Sequence, residues 1–309
     1  MQPVLDRKFE GGVRLAAWGR SNNGHNFSAA TGDYLVGVRA AEEYFGAPVH
    51  VLRVAFKNEG FVNFGKLDDL KDAEGKSQHE IVGELGSVRM IYQGDVGYMP
   101  VDSNNPKPVV IALLNADCPA VFALVHNMVG KVVGCFFAHG GLDCFLPKKI
   151  EDAANGISVL DTIRARCKEL GLDHRLTKFY FGGGARRCCY GMDDMTSVYE
   201  RLALRYGKLD ADCITNQSVM RGPRRINSET GGVNKSINLE ELFFCELFRV
   251  FGVYPQGLFQ EMYGYCSVLE TCTCCMDDGD SKLWSHIVHG GNDKTPLNPR
   301  NFTCFAWTP

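Results

Sequence analysis

The sequence predicts a mixed α/β protein on three observations. Apolar runs of strand length, rich in Val, Ile and Phe, recur along the chain and end on Gly, Pro or polar clusters. Between them lie stretches whose apolar residues fall at steps of three and four, the helical period. Of the 309 residues, 45% are hydrophobic, ample for a large core. Composition also narrows the function classes. No apolar run reaches the ~18 residues a membrane span needs, and the N-terminus lacks the apolar stretch of a signal peptide. A formal net charge of -3 argues against general nucleic-acid affinity. Thirteen cysteines, odd in number and scattered, suit reduced thiols in a cytoplasmic protein. The expected partner is a small-molecule substrate, with neither nucleic acid nor membrane.

Each element has its own signal. Residues 13–18 form a short strand that runs into a Gly/Asn-rich loop from Gly19. Asp33 is placed to cap a helix carrying Leu35, Val38, Glu42 and Phe45, stopped by Gly46 and Pro48. Residues 49–56 are the next strand, and the polar tract that follows reads as an insertion near 57–78. Residues 109–114, 120–125 and 132–138 are three strands; the turn between the last two begins at His126-Asn127 and ends at Gly130. Ile157, Leu160, Ile163, Cys167 and Leu170 mark a helix closed by Gly171. A strand over 176–181 follows, then a helix on Met195, Val198, Tyr199, Leu202 and Tyr206. The stretch 207–235 is polar and irregular and reads as a second insertion. Asn238, with Glu241 three residues on, starts a final helix as a capping box, and Gly252 closes it.

Chemistry concentrates where two strands end. The first delivers Asp117-Cys118-Pro119 and the third delivers His139-Gly140-Gly141. Adjacent strands would bring the Cys118 thiol and the His139 imidazole to one edge, where the imidazole can lower the thiol pKa and shuttle protons. Against this stands the plain reading that cysteines are commonly buried and inert. Gly182-Gly183-Gly184, followed by Arg186 and Arg187, can cradle an anion through backbone N–H groups, or simply make a tight turn. Arg20 is either a contact for an anionic substrate group or a solvated loop residue. The cluster of Cys266, Cys272, Cys274 and Cys275 with His286 and His289 lacks the paired Cys-x2-Cys knuckles of a zinc site.

The segments Asn115-Ala116-Asp117-Cys118-Pro119, Ala138-His139-Gly140-Gly141 and Cys188-Cys189-Tyr190 resemble, in order, motifs of the laccase-domain family. That family is also called peptidoglycan editing factor or multicopper polyphenol oxidoreductase. The resemblance implies one domain over 1–309, with central mixed sheets covered by outer helices in an α/β/β/α layering. The cysteine hydrolase core of cytotoxic necrotizing factors is similar. It implies that His79, beside Gln78, joins Cys118 and His139 as a catalytic or metal-ligating trio, and that Arg20, Asn26, Gly183, Arg186 and Arg187 contact substrate or an anion. The family's activities include purine nucleoside phosphorolysis with deamination, amide hydrolysis and copper-dependent polyphenol oxidation. Leu142-Asp143-Cys144 stands where the family has Trp-Arg-Gly.

The leading expectation is a Cys/His enzyme of purine nucleoside phosphorolysis or deamination, with inorganic phosphate as co-substrate and zinc as the candidate metal. A zinc-binding or catalytically lost binding protein is the alternative. A copper oxidase is the weaker one, since the eight His residues include no His-x-His pair.

Overall fold

The computed structural model describes residues 1–27, 33–55, 64–66, 87–92, 96–115, 118–184, 187–190, 192–215, 235–252, 282–284 and 300–309. Thirteen strands fall in these segments. They are β1 (Leu5–Lys8), β2 (Val13–Trp18), β3 (Val49–Ala55), β4 (Phe64–Lys66), β5 (Ser87–Tyr92), β6 (Val96–Pro100) and β7 (Val109–Asn115). Then come β8 (Ala120–His126), β9 (Val132–His139), β10 (Thr177–Gly182), β11 (Arg187–Tyr190), β12 (Lys235–Asn238) and β13 (Asn301–Trp307). The described helices are α1 (Tyr34–Phe45), α2 (Leu142–Phe145), α3 (Val159–Glu169), α4 (Met192–Tyr206), α5 (Lys208–Thr215) and α6 (Leu239–Phe251). None is long and apolar enough to cross a membrane.

Two mixed sheets form the centre. One has the order β1-β2-β13-β7-β3-β5, the other β10-β8-β9-β6-β4, and β11 pairs with β12 as a separate ribbon. Strands such as β7 and β8 are buried nearly throughout, which their unbroken apolar runs anticipate. Between the sheets, Leu15, Ile111, Leu113 and Phe305 meet Phe122, Phe137 and Tyr180 in one cluster. The Phe122 and Phe305 rings stack at 5.4 Å. On the far side of the six-stranded sheet, Trp18, Val110 and Phe302 pack against Val38 and Ala41 of α1. Gly37 is required there, because a Cβ would lie 2.7 Å from the Phe302 ring. On the far side of the five-stranded sheet, Val121, Phe136 and Phe181 pack against residues of α3, α4 and α6. Burying each such aromatic or branched side chain contributes about 1.5–3 kcal/mol before its entropy cost. The layering is thus α/β/β/α, as the resemblance implies.

The outer helices are tied by a buried ionic network. Glu246 of α6, fully buried, accepts hydrogen bonds from Arg205 of α4 at 3.0 and 2.9 Å, from Tyr206 at 2.7 Å and from Arg249 at 2.9 and 2.6 Å. Arg205 also donates to the carbonyls of Ala153 and Gly156, at 2.9 and 3.0 Å. Burial alone would raise the Glu246 pKa, but hydrogen bonds from Arg249 and Arg205 hold it down at about 2.

Three expectations are corrected. The tract 207–235 is not irregular throughout, for α5 occupies Lys208–Thr215; its buried face is Ala211, Ile214 and Thr215, too small and polar to stand out in sequence. Ile157 lies outside the helix it was assigned to and is 67% exposed, because Ser158 caps that helix in a box with Asp161. Asp33 stands at the start of α1 but makes no side-chain cap bond. At α6, Asn238 accepts from the Glu241 N–H at 3.3 Å. Gly171 and Gly252 take positive φ, as helix-ending glycines do. The tract 57–78 falls outside the described residues except for β4.

Candidate active site

The register of β8 and β9 places the central pair. Ala120 lies opposite His139, so Cys118 precedes one strand just where Gly140 and Gly141 follow the other. The Gly140 N–H extends the ladder by donating to the Pro119 carbonyl at 2.8 Å. A Cβ on Gly140 would fall 2.6 Å from the Phe181 ring, so a side chain there would push the two segments apart. Gly141 is tighter still in its chemistry. A Cβ on it would lie 2.7 Å from His139 Cε1, 3.3 Å from His139 Nδ1 and 3.4 Å from Cys118 Sγ. The imidazole and the thiol therefore converge on one spot that only glycine leaves open. Cys118 and His139 are brought together, as their strand ends predict.

A second thiol joins them. Gly141 caps α2, whose single turn carries Cys144 back over His139, and the Cys144 N–H donates to the Gly141 carbonyl at 3.0 Å. Cys144 Sγ lies 3.3 Å from His139 Nδ1, with donor and acceptor set by the tautomer. Both residues are buried, and that contact fixes the ring's orientation. Cys144 was missed as a site residue. Its only signal was its position, one turn after the two glycines.

Cys118 differs from most of its fellow cysteines. Seven of the described cysteines are free thiols, and five of these seven are buried. Burial pushes the Cys135 thiol up to about 12 and the Cys167 thiol up to about 11, so both stay protonated. Cys118 is only half-buried.

Beneath the pair runs a buried polar junction. Asn115, the last residue of β7, donates through Nδ2 to the Cys118 carbonyl at 2.8 Å and to the Gly183 carbonyl at 2.7 Å. Its Oδ1 accepts from the Thr303 hydroxyl of β13 at 2.9 Å. One amide thus ties the Cys118 segment to the end of β10 and to the facing sheet. Gly183 has φ +80°, and a Cβ on it would meet Thr303 Cγ2 at 2.2 Å. Its glycine requirement is accounted for by this junction.

Arg187 lies on β11, opposite Asn238. Arg20 and Asn26 sit in the loop after β2. That loop leaves the six-stranded sheet at the Cys118 end, since Trp18 pairs with Phe302 and Asn115 with Asn301. The Asn26 Oδ1 accepts from the Arg300 N–H at 2.8 Å, which strengthens the loop's hold on the C-terminal strand. The Trp284 indole donates to the His25 carbonyl at 2.6 Å on the same seam. His79, Arg186 and the cysteines from Cys266 to Cys275 lie outside the described residues.

Solved structures share this arrangement of sheets and helices. The Bacillus licheniformis hypothetical protein YfiH aligns over 96% of this chain and 92% of its own, with a TM-score of 0.52 and 12% identity. YlmD from Geobacillus stearothermophilus aligns over 99% and 98%, with a TM-score of 0.52 and 14% identity. This chain has their fold. Its two sheets with helices outside them are the architecture that the ordered motifs imply. No family model matches the sequence, and no curated protein matches it.

Proposed function

We propose that the chain is a Cys/His-dependent enzyme acting on a small nucleoside-like or amide-bearing substrate, with purine nucleoside phosphorolysis or deamination as its reaction. One observation carries this reading: the half-buried Cys118 thiol and the His139 imidazole converge on Gly141 at the end of a rigid sheet pair. A thiol beside an imidazole supplies a nucleophile and a proton carrier. In phosphorolysis, phosphate oxygen bonds to the sugar carbon as the carbon–nitrogen bond breaks, and the departing base needs the proton an imidazolium can give.

Zinc belongs to this proposal only with His79 as a further donor. Among the described residues no group of three His, Cys, Asp or Glu side chains is placed to hold a metal ion, so no step is derived through one.

The test is turnover of inosine and adenosine with inorganic phosphate. Cys118→Ala and His139→Ala should each lower kcat/KM by about a thousandfold, the range seen when an acid–base or nucleophilic group is removed. Turnover that survives Cys118→Ala assigns the activity elsewhere and ends this reading.

A further inference from the structure

The end of the sandwich opposite Cys118 carries the larger of two described cavities, about 1070 Å³. It opens where β8 turns into β9, where β10 begins and where β13 ends. None of the residues placed at the candidate active site lines it. Its charged side chains are of one sign, Lys131, Arg175 and Lys178, with no Asp or Glu, and Pro309 lies beside them in the lining. Arg175 is forked onto Asp173, at 2.9 and 2.7 Å. Among the described residues no carboxylate pairs with Lys131 or Lys178. A cleft with unanswered positive charge draws anions by field as well as by contact.

The rest of the lining is apolar or fixed. Met128, 84% exposed, stands at the mouth, and Val132 and Trp307, 7% and 5% exposed, show only their edges at the floor. The hairpin that presents Met128 and Lys131 is rigid. Asn127 Oδ1 accepts from the Val129 and Lys131 N–H groups at 3.1 and 2.9 Å, and the Gly130 N–H donates to the Asn127 carbonyl at 2.9 Å. His126, at the end of β8, donates Nδ1–H to the Leu176 carbonyl at 3.1 Å, which fixes its ring on this wall. A pre-formed wall lowers the ordering cost of a ligand.

We infer that this cleft binds a small organic anion with an apolar body, its acidic head between Lys131 and Lys178 and its body against Met128, Val132 and Trp307. The chemistry is that of a medium-chain or aromatic carboxylate. A bare phosphate lacks the apolar part, and a bulk membrane surface does not enter a concave site.

The probe is 8-anilinonaphthalene-1-sulfonate, an apolar anion whose fluorescence rises in such sites, titrated into the full chain. Saturation at one equivalent is expected, with displacement by decanoate and none by inorganic phosphate. The double variant Lys131→Glu/Lys178→Glu should weaken binding by about tenfold or more, while Cys118→Ala leaves it unchanged. Both lysines reach solvent, so the variant keeps its fold; near-ultraviolet circular dichroism checks that. In the unaltered chain, decanoate should also shift the His126 imidazole resonances. Unchanged affinity in the double variant overturns the inference, as does a His126 signal that decanoate leaves in place. Displacement by phosphate, or binding to phosphatidylglycerol vesicles but not to free decanoate, overturns it too. None of these outcomes depends on nucleoside turnover, so the cleft and the Cys118 site stand or fall separately.

Discussion

The two ends of the sheet sandwich are built by opposite means. At the Cys118 end, space is withheld: Gly140, Gly141 and Gly183 occupy points where a Cβ would strike a ring, a thiol or a methyl group. Buried bonds from Asn115 fix the backbone there. At the hairpin of the His126 end, space is left open, although across the cleft a Cβ on Gly12 would meet the Thr308 carbonyl oxygen at 2.2 Å. Gly130 has nothing within 4 Å of where its Cβ would be, and the hairpin is held by its own turn bonds. The first end is a site whose geometry is imposed by packing, suited to aligning reacting atoms. The second is a cleft whose walls are local turns, suited to admitting a ligand. The same two sheets support both, because a strand must start at one end and stop at the other.

The largest expected effect tests whether the ends share a support. Helix α6 runs behind both: Phe243 packs on Phe145 of α2 at 5.9 Å, while Phe251 packs on Phe179 and His174 at 5.0 and 6.0 Å. Glu246 sits between. Its folded pKa of about 2 lies below the ordinary 4.5, so its contribution is complete above pH 4.5 and is lost as pH falls through 2. Glu246→Gln leaves Arg205 and Arg249 only the part-exposed Asp161 carboxylate as an anionic partner and should cost about 3 kcal/mol at neutral pH, the low end for breaking a buried pair. Denaturant melts across pH should show that gap shrinking as acid protonates Glu246 in the unaltered chain. A gap constant from pH 6 to pH 2 would mean the carboxylate is not the source. If the variant loses activity but keeps anion binding, α6 does not serve both ends.

Asn115→Leu strikes one end alone. It strands the Cys118 carbonyl and leaves the Gly183 carbonyl and the Thr303 hydroxyl only each other, at 3.3 Å, where the bonds from Asn115 had spanned 68 and 188 residues. Each unsatisfied buried group costs about 1–3 kcal/mol, so a loss of about 3 kcal/mol is expected after partial relaxation. The measurement is the urea midpoint, with anion binding at the far end as the internal control. A loss below about 0.5 kcal/mol, the level of an ordinary surface change, removes the junction's role.

These contacts also show what sequence can and cannot carry. The apolar runs that became β7, β8 and β9 are continuous, so their extent and their reactive ends at Cys118 and His139 were readable. The Asn115–Gly183–Thr303 junction was not, because its members are far apart in the chain and each looks ordinary alone. The central strand β13 was missed likewise: Asn301 and Thr303 interrupt the apolar run of Asn301–Trp307, and its place between β2 and β7 is a matter of pairing. The glycines of 182–184 invited an anion reading, whereas Gly183 is explained by its approach to Thr303. Helix α5 was hidden by the modest size of Ala211 and Thr215 on its buried face.

A pair of glycine substitutions contrasts the ends directly. Gly141→Ala puts a methyl against His139 and Cys118, and a displacement near 1 Å costs about a hundredfold in rate. Gly130→Ala meets no atom but must hold φ +77°, which costs about 1–2 kcal/mol of stability. The expected pattern is activity loss with a near-normal melt for the first, and the reverse for the second. Equal activity in both variants would dissolve the contrast.

The smallest effect is assigned to Cys144. Its sulfur touches His139 Nδ1, on the edge of the ring that faces Gly141 and Cys118. Cys144→Ala removes that partner without adding bulk. Rate should fall by about tenfold, less than removal of a reacting group, because the contact orients the ring and does not itself react. A structural role alone would lower stability and leave the pH dependence of kcat/KM in place. An orienting role moves the acid limb of that profile, since the proton on His139 loses a neighbour that favours one tautomer. Cys144→Ser, which keeps a donor and acceptor at the same position, should restore most of the rate and return the limb toward its original pH. A profile identical in all three proteins would make Cys144 a packing residue and leave His139 held by the Gly141 turn alone.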